Sequence, residues 1–432
     1  MSQLSYPDSH HASESMLPPV YPRLEGQHRF DVCVIGAGYT GLSAALHLAE
    51  LGFNVALVEA QRVGWGASGR SGGQLGYGMT VLQPELIHRF GQDIARAFWD
   101  VSVESVELFH SLCAQHGIDC DFSAGNMGCA TTQNELDDLT RHADVVAGYG
   151  HDVYERFGAD ATREISGSPI YIGAILAHRA GHINPLKYAL GLASAAESAG
   201  VSIFEGSRVT AIQPADPATV RFDTGAITAK YVVVGCNGYL QTLSKTLANR
   251  ILPVDNYQAA TEVLDEATRN KLIKGGVCAW DTSNSVHYFR LTPDNRLVMG
   301  CSIGIPGRPP GNLEKDCRRH INYVYPDLGD ISLEYIWGGT LAGTRSRLPD
   351  VGRLADNVLY AQGYTGHGVG LAPLAGKYLA HAIGSASAGF EFLSSIDHKN
   401  MPGGRFLRIP FIIVYRLMTN TRDMVARRLT RS

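Results

Sequence analysis

Between Phe30 and Glu59 the chain runs FDVCVIGAGYTGLSAALHLAELGFNVALVE, and few folds accommodate that order of residues. The apolar run with Val32, Val34 and Ile35 predicts a strand that ends at Gly36-x-Gly38-x-x-Gly41, with Tyr39 and Thr40 inside the turn. A helical pattern from Leu42 to Leu51 follows and Gly52 closes it. A second apolar strand (Val55, Leu57, Val58) then ends on Glu59. Gly36 permits the tight strand-to-helix turn, Gly38 lets backbone approach a pyrophosphate, and Gly41 lets helix pack closely on strand. The helix N-terminus offers free N–H groups and a positive dipole end to phosphate. Glu59, 18 residues past Gly41, is placed to hold ribose hydroxyls. The triplet alone would say little. In this context it predicts a dinucleotide-binding βαβ unit.

A chain of 432 residues is long for one core and implies about two domains. The net charge of −4 leaves no basic excess to neutralise phosphates, so no nucleic-acid partner is expected. The eight cysteines are scattered without a C-x-x-C pair. No metal site is expected from them, and buried reduced thiols in a cytoplasmic protein are the reading. No apolar run of spanning length occurs. Residues 1–28 are polar, contain Pro and Ser, and lack a signal-peptide apolar region. They read as a flexible N-terminal arm with His10 and His11 in solvent.

Residues from Pro84 to about Ala147 read as helical, and Leu186–Ala199 as a helix ended by Gly200. Val201–Phe204, Val209–Ile212 and Tyr231–Val234 read as strands. Residues 250–337 alternate apolar and polar positions between turns, as in an antiparallel sheet. Nucleotide-binding pieces thus lie near both ends. The expected architecture is α/β: a Rossmann-like cofactor domain from 29–82, 150–248 and 338–400. A substrate domain with a mixed or antiparallel sheet comes from 83–149 and 249–337, and a tail from 401–432.

Two further glycine clusters carry chemistry. Gly64-Trp65-Gly66-Ala67-Ser68-Gly69-Arg70-Ser71-Gly72-Gly73-Gln74 follows Glu59 almost directly. Such a segment is costly to order unless something large needs close backbone approach. A flavin passing over backbone is one explanation, a mobile surface loop the other. The third cluster, Gly363-Tyr364-Thr365-Gly366-His367-Gly368-Val369-Gly370, enters a helix. Its N–H groups would stabilise negative charge on a reduced flavin. His367 is either a further donor there or a structural histidine.

Together these segments resemble the D-amino acid oxidase superfamily of FAD-dependent oxidoreductases, within it the bacterial γ-glutamylputrescine oxidases. The likeness rests on DVCVIGAGYTGLSAALHLAELGF, GASGRSGGQ, GHINPL, YFRLTPDNRLVMG, WGGT…RLPDVGRL, GYTGHGVG and MPGGRFLRIPF. It implies non-covalent FAD held by Gly36, Gly38, Tyr39, Thr40, Gly41, Glu59 and Ala60. Gly66, Ala67, Ser68, Arg70, Ser71, Gly72, Gly73 and Gln74 join them from the second cluster. Val209, Asn237, Gly238, Gly363, Tyr364, Gly366, His367, Gly368 and Val369 complete the set.

The chain departs from that pattern at two places. In the α-amino-acid oxidases of the superfamily, W-x-G-x-R supplies an arginine that clamps the substrate carboxylate; here Trp337-Gly338-Gly339-Thr340 is followed by Leu341. A lysine that speeds reaction with oxygen in the sarcosine-oxidase branch is matched by the stretch Leu297-Val298-Met299-Gly300. The resemblance implies oxidation of an amine such as γ-glutamylputrescine by hydride transfer to flavin N5, the imine then hydrolysing to an aldehyde. Oxygen or another acceptor takes the electrons. An amino-acid dehydrogenase feeding a quinone and a non-catalytic flavin protein are the alternatives. His367, Tyr288 and His287 are the candidate catalytic residues, and Tyr257, Gln258, Glu262 and Arg290 further candidates for substrate contact. From Arg405 the tail carries seven arginines against Asp423, with Val414, Leu417, Met418, Met424, Val425 and Leu429 at helical spacing. Peripheral membrane contact is one reading of it and packing on the cofactor domain the other.

Overall fold

The computed structural model describes residues 4–240, 242–283, 286–404, 407–410 and 412–413. The first sheet is built on the strand Gly26–Ile35, whose parallel neighbours are Val55–Val58 on one side and Gly225–Val234 on the other. Ser202–Phe204 and Val358–Gln362 extend it in parallel, and Asp350–Ala355 closes one edge antiparallel. Its residues alternate between two cores. Val32 and Val34 pack with the helices Tyr39–Glu50, Pro185–Ser198 and Gly368–Gly384, while Cys33 and Ile35 pack with Val220, Val232 and Leu247. Burial on both faces explains the unbroken apolar run.

The second sheet has nine strands and runs Leu333–Thr344, Ile251–Thr261, Leu297–Gly304, Tyr288–Leu291, Cys278–Asp281, Ser123–Ala130, Gly173–His182 and Gln74–Leu75. Tyr154–Gly158 pairs beside Gly173–His182. All its ladders are antiparallel except that of Cys278–Asp281 with Ser123–Ala130. The helix Leu313–Val324 covers one face, placing Ile321 and Val324 against Met127, Phe289 and Met299.

Three expectations from the sequence change. The helical stretch after Pro84 is broken: Gln83–Phe90, Gln92–His116 and Gln133–Gly148 are helices, but Ser123–Ala130 is a buried strand. Its small residues fit a crowded sheet; a Cβ at Gly128 would lie 2.7 Å from the Trp280 ring. The division into domains moves for the same reason. Tyr154–Gly158 and Gly173–His182, grouped above with the cofactor domain, belong to the second sheet, where Gly173–His182 pairs with Ser123–Ala130 (Met127 opposite Leu176) and Tyr154–Gly158 with Gly173–His182. A boundary at 338 would cut the strand Leu333–Thr344, which pairs continuously with Ile251–Thr261.

The N-terminal arm is also not loose. Tyr6 Oη donates to the Val63 carbonyl (2.9 Å), Arg62 Nη2 to the Pro18 carbonyl (2.7 Å) and Tyr21 N–H to Glu205 (3.0 Å). His10 and His11 are buried, the first against Asp294 (3.1 Å). The basic amphipathic stretch from Val414 onward lies outside the described residues. Among the described residues no helix is long and apolar enough to cross a membrane.

Candidate active site and cofactor cleft

The three glycines of the first cluster do different work. Gly36 has φ of +99°, and a Cβ there would meet the Gly235 carbonyl oxygen at 3.1 Å. A Cβ at Gly41 would fall 1.9 Å from the Gly36 carbonyl oxygen. Both serve close packing of the chain on itself. Gly38 has φ of −87°, and the nearest neighbour of an added Cβ is Ser68 Oγ at 3.0 Å. The helix Tyr39–Glu50 begins there with no side-chain cap, while Tyr39 N–H donates to Ser68 Oγ (3.0 Å). Its first turn therefore retains N–H groups for a ligand. At the end of the next strand, Glu59 accepts from Ala37 N–H and Gln61 N–H, both at 2.8 Å. Burial raises its pKa, and those N–H groups oppose the rise.

From this point a cavity of about 1740 Å³ extends between residues of both sheets. Gly36, Gly38, Tyr39, Thr40, Glu59 and Ala60 line one end. Gly66, Ala67, Ser68 and the run Arg70–Gln74 form part of its wall, as do Val209, Asn237 and Gly238 of the cofactor set. Tyr364, Gly366, His367, Gly368 and Val369 line it as well. Of the expected cofactor residues, Gly41 and Gly363 do not reach the cavity. Gly363 has φ of +77° and gives its N–H to Asn237 Oδ1 (2.9 Å), so it shapes the turn rather than the surface.

The second cluster is fixed, which removes the mobile-loop reading. Arg70 lies over the Trp65 ring (4.4 Å) and donates to the Gly338 carbonyl (2.7 Å) and Tyr239 Oη (2.5 Å). Its own carbonyl accepts from Gln258 Nε2 (2.8 Å) and Trp337 Nε1 (3.1 Å). Arg70 is thus a tether between loop and second sheet; burial lowers its pKa.

The third cluster is joined to the first. Thr40 and Tyr364 share a hydrogen bond (2.6 Å). Gly376 lets the helix Gly368–Gly384 touch backbone of the first: a Cβ there would lie 2.4 Å from the Thr40 carbonyl oxygen. His367 immediately precedes that helix, half-buried in the cavity wall. Burial lowers its pKa to about 4, so the ring is neutral at pH 7.

The strand Tyr288–Leu291 separates the candidates by its twofold period. Tyr288 lines the cavity and hydrogen-bonds Asn256 Oδ1. Its ring occupies the space a Cβ would need at Gly72 (2.7 Å) and Gly300 (2.1 Å). Arg290, on the same side, donates from Nε to the Gly72 carbonyl (3.1 Å). His287 points to the other side, where Nδ1 meets Asp281 (2.8 Å) and the ring stacks on Tyr323 (4.9 Å). It does not line the cavity, so direct contact with reacting atoms is withdrawn for His287. Glu262 is exposed and pairs with Ser332 N–H, away from the site. Tyr257, Gln258 and Leu341 do line the cavity.

Asp255 was missed. It is a buried carboxylate in the wall, accepting from Thr340 Oγ1 (2.6 Å) and Gly307 N–H (2.9 Å). Its only sign in the sequence is an acid directly after the apolar run Ile251–Val254 and before Asn256.

A Gly-lined approach to an uncapped helix, an acid at the next strand end and a long cavity fit a flavin dinucleotide better than a nicotinamide one. No second glycine wall is needed for the latter. Comparison with known proteins agrees. Residues 31–382 match the FAD dependent oxidoreductase family (DAO). The chain is 38% identical over 394 residues to a γ-glutamylputrescine oxidoreductase of Escherichia coli (strain K12), covering 91% of this chain and 92% of the relative. It is 33% identical to a probable oxidoreductase, OrdL, of Haemophilus influenzae, over 90% of each chain. In fold it is similar to glycine oxidase from Geobacillus kaustophilus (TM-score 0.73, 22% identity), covering 86% of this chain and 100% of the other. The chain is an α/β protein of that architecture and belongs to the DAO family of FAD-dependent oxidoreductases.

Proposed function

We propose that this enzyme oxidises γ-glutamylputrescine or a closely related polyamine conjugate at the carbon beside its terminal nitrogen. Bound FAD supplies the acceptor for the hydride, and water then hydrolyses the substrate's imine to an aldehyde. The observation that carries the reading is Leu341, an apolar side chain in the cavity wall where α-amino-acid oxidases have a carboxylate-clamping arginine. The relative at 38% identity supports the substrate class.

In this reading Gly38 and the uncapped helix hold the pyrophosphate and Glu59 the ribose. The pinned Arg70–Gln74 wall supports the flavin ring, and His367 with the following helix donates to it. Tyr288 and Leu341 form an apolar surface that excludes water and favours the neutral amine, the form able to release hydride. Asp255, a buried acid nearby, suits a cationic substrate on entry. A cytoplasmic location belongs to the same proposal; all eight cysteines are free thiols.

The test is anaerobic flavin bleaching across a panel of amines and amino acids. γ-Glutamylputrescine and simple polyamines should reduce the flavin fastest, on the order of 100-fold ahead of ordinary α-amino acids, which need a clamp this wall lacks. Faster reduction by D- or L-α-amino acids would sink the proposal. The electron acceptor is read separately, from peroxide formed when air is admitted. Among the described residues no lysine lines the cavity, so slow peroxide formation is expected.

A further inference from the structure

The N-terminal arm reaches the cofactor wall. Ser9 caps the short helix His10–Ser13, accepting from Ala12 N–H (3.2 Å), and this turn drives His11 into the interior. His11 is fully buried, its Nε2 lies 3.0 Å from the Ser71 carbonyl oxygen, and its ring meets Trp337 edge-on (5.0 Å). A carbonyl only accepts, so Nε2 carries the hydrogen. Burial and the nearby Arg290 keep the ring neutral.

The flanking carbonyls are held as well, that of Arg70 by Gln258 and Trp337 and that of Gly72 by Arg290. Three successive carbonyls are thus drawn to the arm and the second sheet. In a trans peptide the N–H points opposite to its C=O. The N–H groups of Ser71 and Gly72 are therefore turned away from these partners, and both residues line the cavity. No described residue accepts from either of them.

We propose that His11 is a positioning residue of the FAD site: by holding the Ser71 carbonyl it keeps the Gly72 N–H facing the cleft as a donor to bound cofactor. The arm is then part of the cofactor site rather than a surface appendage.

The test uses the full chain with His11→Ala and His11→Gln, since a glutamine amide nitrogen can replace Nε2–H. Losing the bond should weaken FAD binding by the apoprotein roughly 5- to 100-fold. It should also shift the bound flavin's absorption band and midpoint potential. His11→Gln should recover most of both. A merely space-filling His11 would lower thermal stability in both variants and leave affinity, spectrum and potential unchanged in folded His11→Ala; that result overturns the proposal. If His11→Ala fails to fold, hydrogen exchange on the wild-type chain decides, because linkage is reciprocal. FAD added to apoprotein should slow exchange at residues 9–15 more than in the helix Ala159–Ser166. Equal protection overturns the idea. Wild-type FAD binding is the control that separates this failure from failure of the cofactor reading.

Discussion

Gly38→Val is expected to fold and to emerge from purification colourless. The wild-type protein should be yellow, with one FAD per chain that acid precipitation releases into the supernatant. Valine is compatible with φ of −87° at this position, and the nearest atom to its Cβ is the adjustable Ser68 hydroxyl at 3.0 Å. Its two methyl groups would instead occupy the approach to the uncapped helix. Overpacking costs about 1–3 kcal/mol, and each lost hydrogen bond to a charged phosphate roughly 1.5–3 kcal/mol more. Together they correspond to FAD binding weaker by about 10² to 10⁴. Gly41→Ala is the informative contrast. Its Cβ would fall 1.9 Å from backbone oxygen, so the helix could not seat on the strand and soluble folded protein should be lost. A yellow Gly38→Val protein with wild-type affinity would remove the pyrophosphate role. Flavin remaining with the acid pellet would remove the non-covalent one.

That contrast shows what sequence can reveal. The βαβ unit was legible because strand, turn and helix follow one another, so each glycine's neighbours are local or predictable. The later glycine clusters were legible as glycine-rich but not as geometry. Gly72 is small because Tyr288 lies across it, and Gly376 because Thr40 does. Those partners are hundreds of residues away. The strand Ser123–Ala130 was hidden for a related reason: Gly and Ala between two long helices carry little strand propensity, and pairing with Gly173–His182 overrides it. Moving that strand moved the domain division with it.

At the site, adjacent residues sorted by strand parity. Tyr288 faces the cavity while His287 faces Asp281, and alternation alone could not say which of the two would point inward. His11 and Asp255 were unreadable from composition. A histidine in a polar, proline-containing arm reads as solvated, and only the docking of that arm on the Ser71 carbonyl reveals otherwise. Leu341 was legible as a departure from a familiar pattern, and its place in the wall gives that departure a physical meaning.

Replacing His367 by alanine should leave FAD bound but slow its anaerobic reduction by substrate. In the proposed arrangement Gly38 and Glu59, not His367, hold phosphate and ribose, so affinity has little reason to change. His367 sits in the cavity wall at the start of the helix Gly368–Gly384, and its ring makes no hydrogen bond to a described residue. The helix end adds unpaired N–H groups and a positive dipole terminus. In the proposed mechanism these groups would stabilise negative charge arriving in the cleft during hydride transfer, and an interaction that strengthens with that charge would lower the barrier. Loss of one such donor is worth about 2–4 kcal/mol in a water-excluded site, or roughly 30- to 1,000-fold in rate. Backbone donors sharing the load would bring the loss toward the lower figure. The pH profile separates the form of the donor. With a pKa lowered to about 4 by burial, the ring is neutral above pH 6, so the wild-type to variant rate ratio should be flat from pH 6 to 9. A ratio climbing as pH falls through 6.5 would mean that the imidazolium acts. An unchanged reduction rate in a folded, yellow His367→Ala protein would make the histidine structural and leave the charge to the helix N–H groups alone.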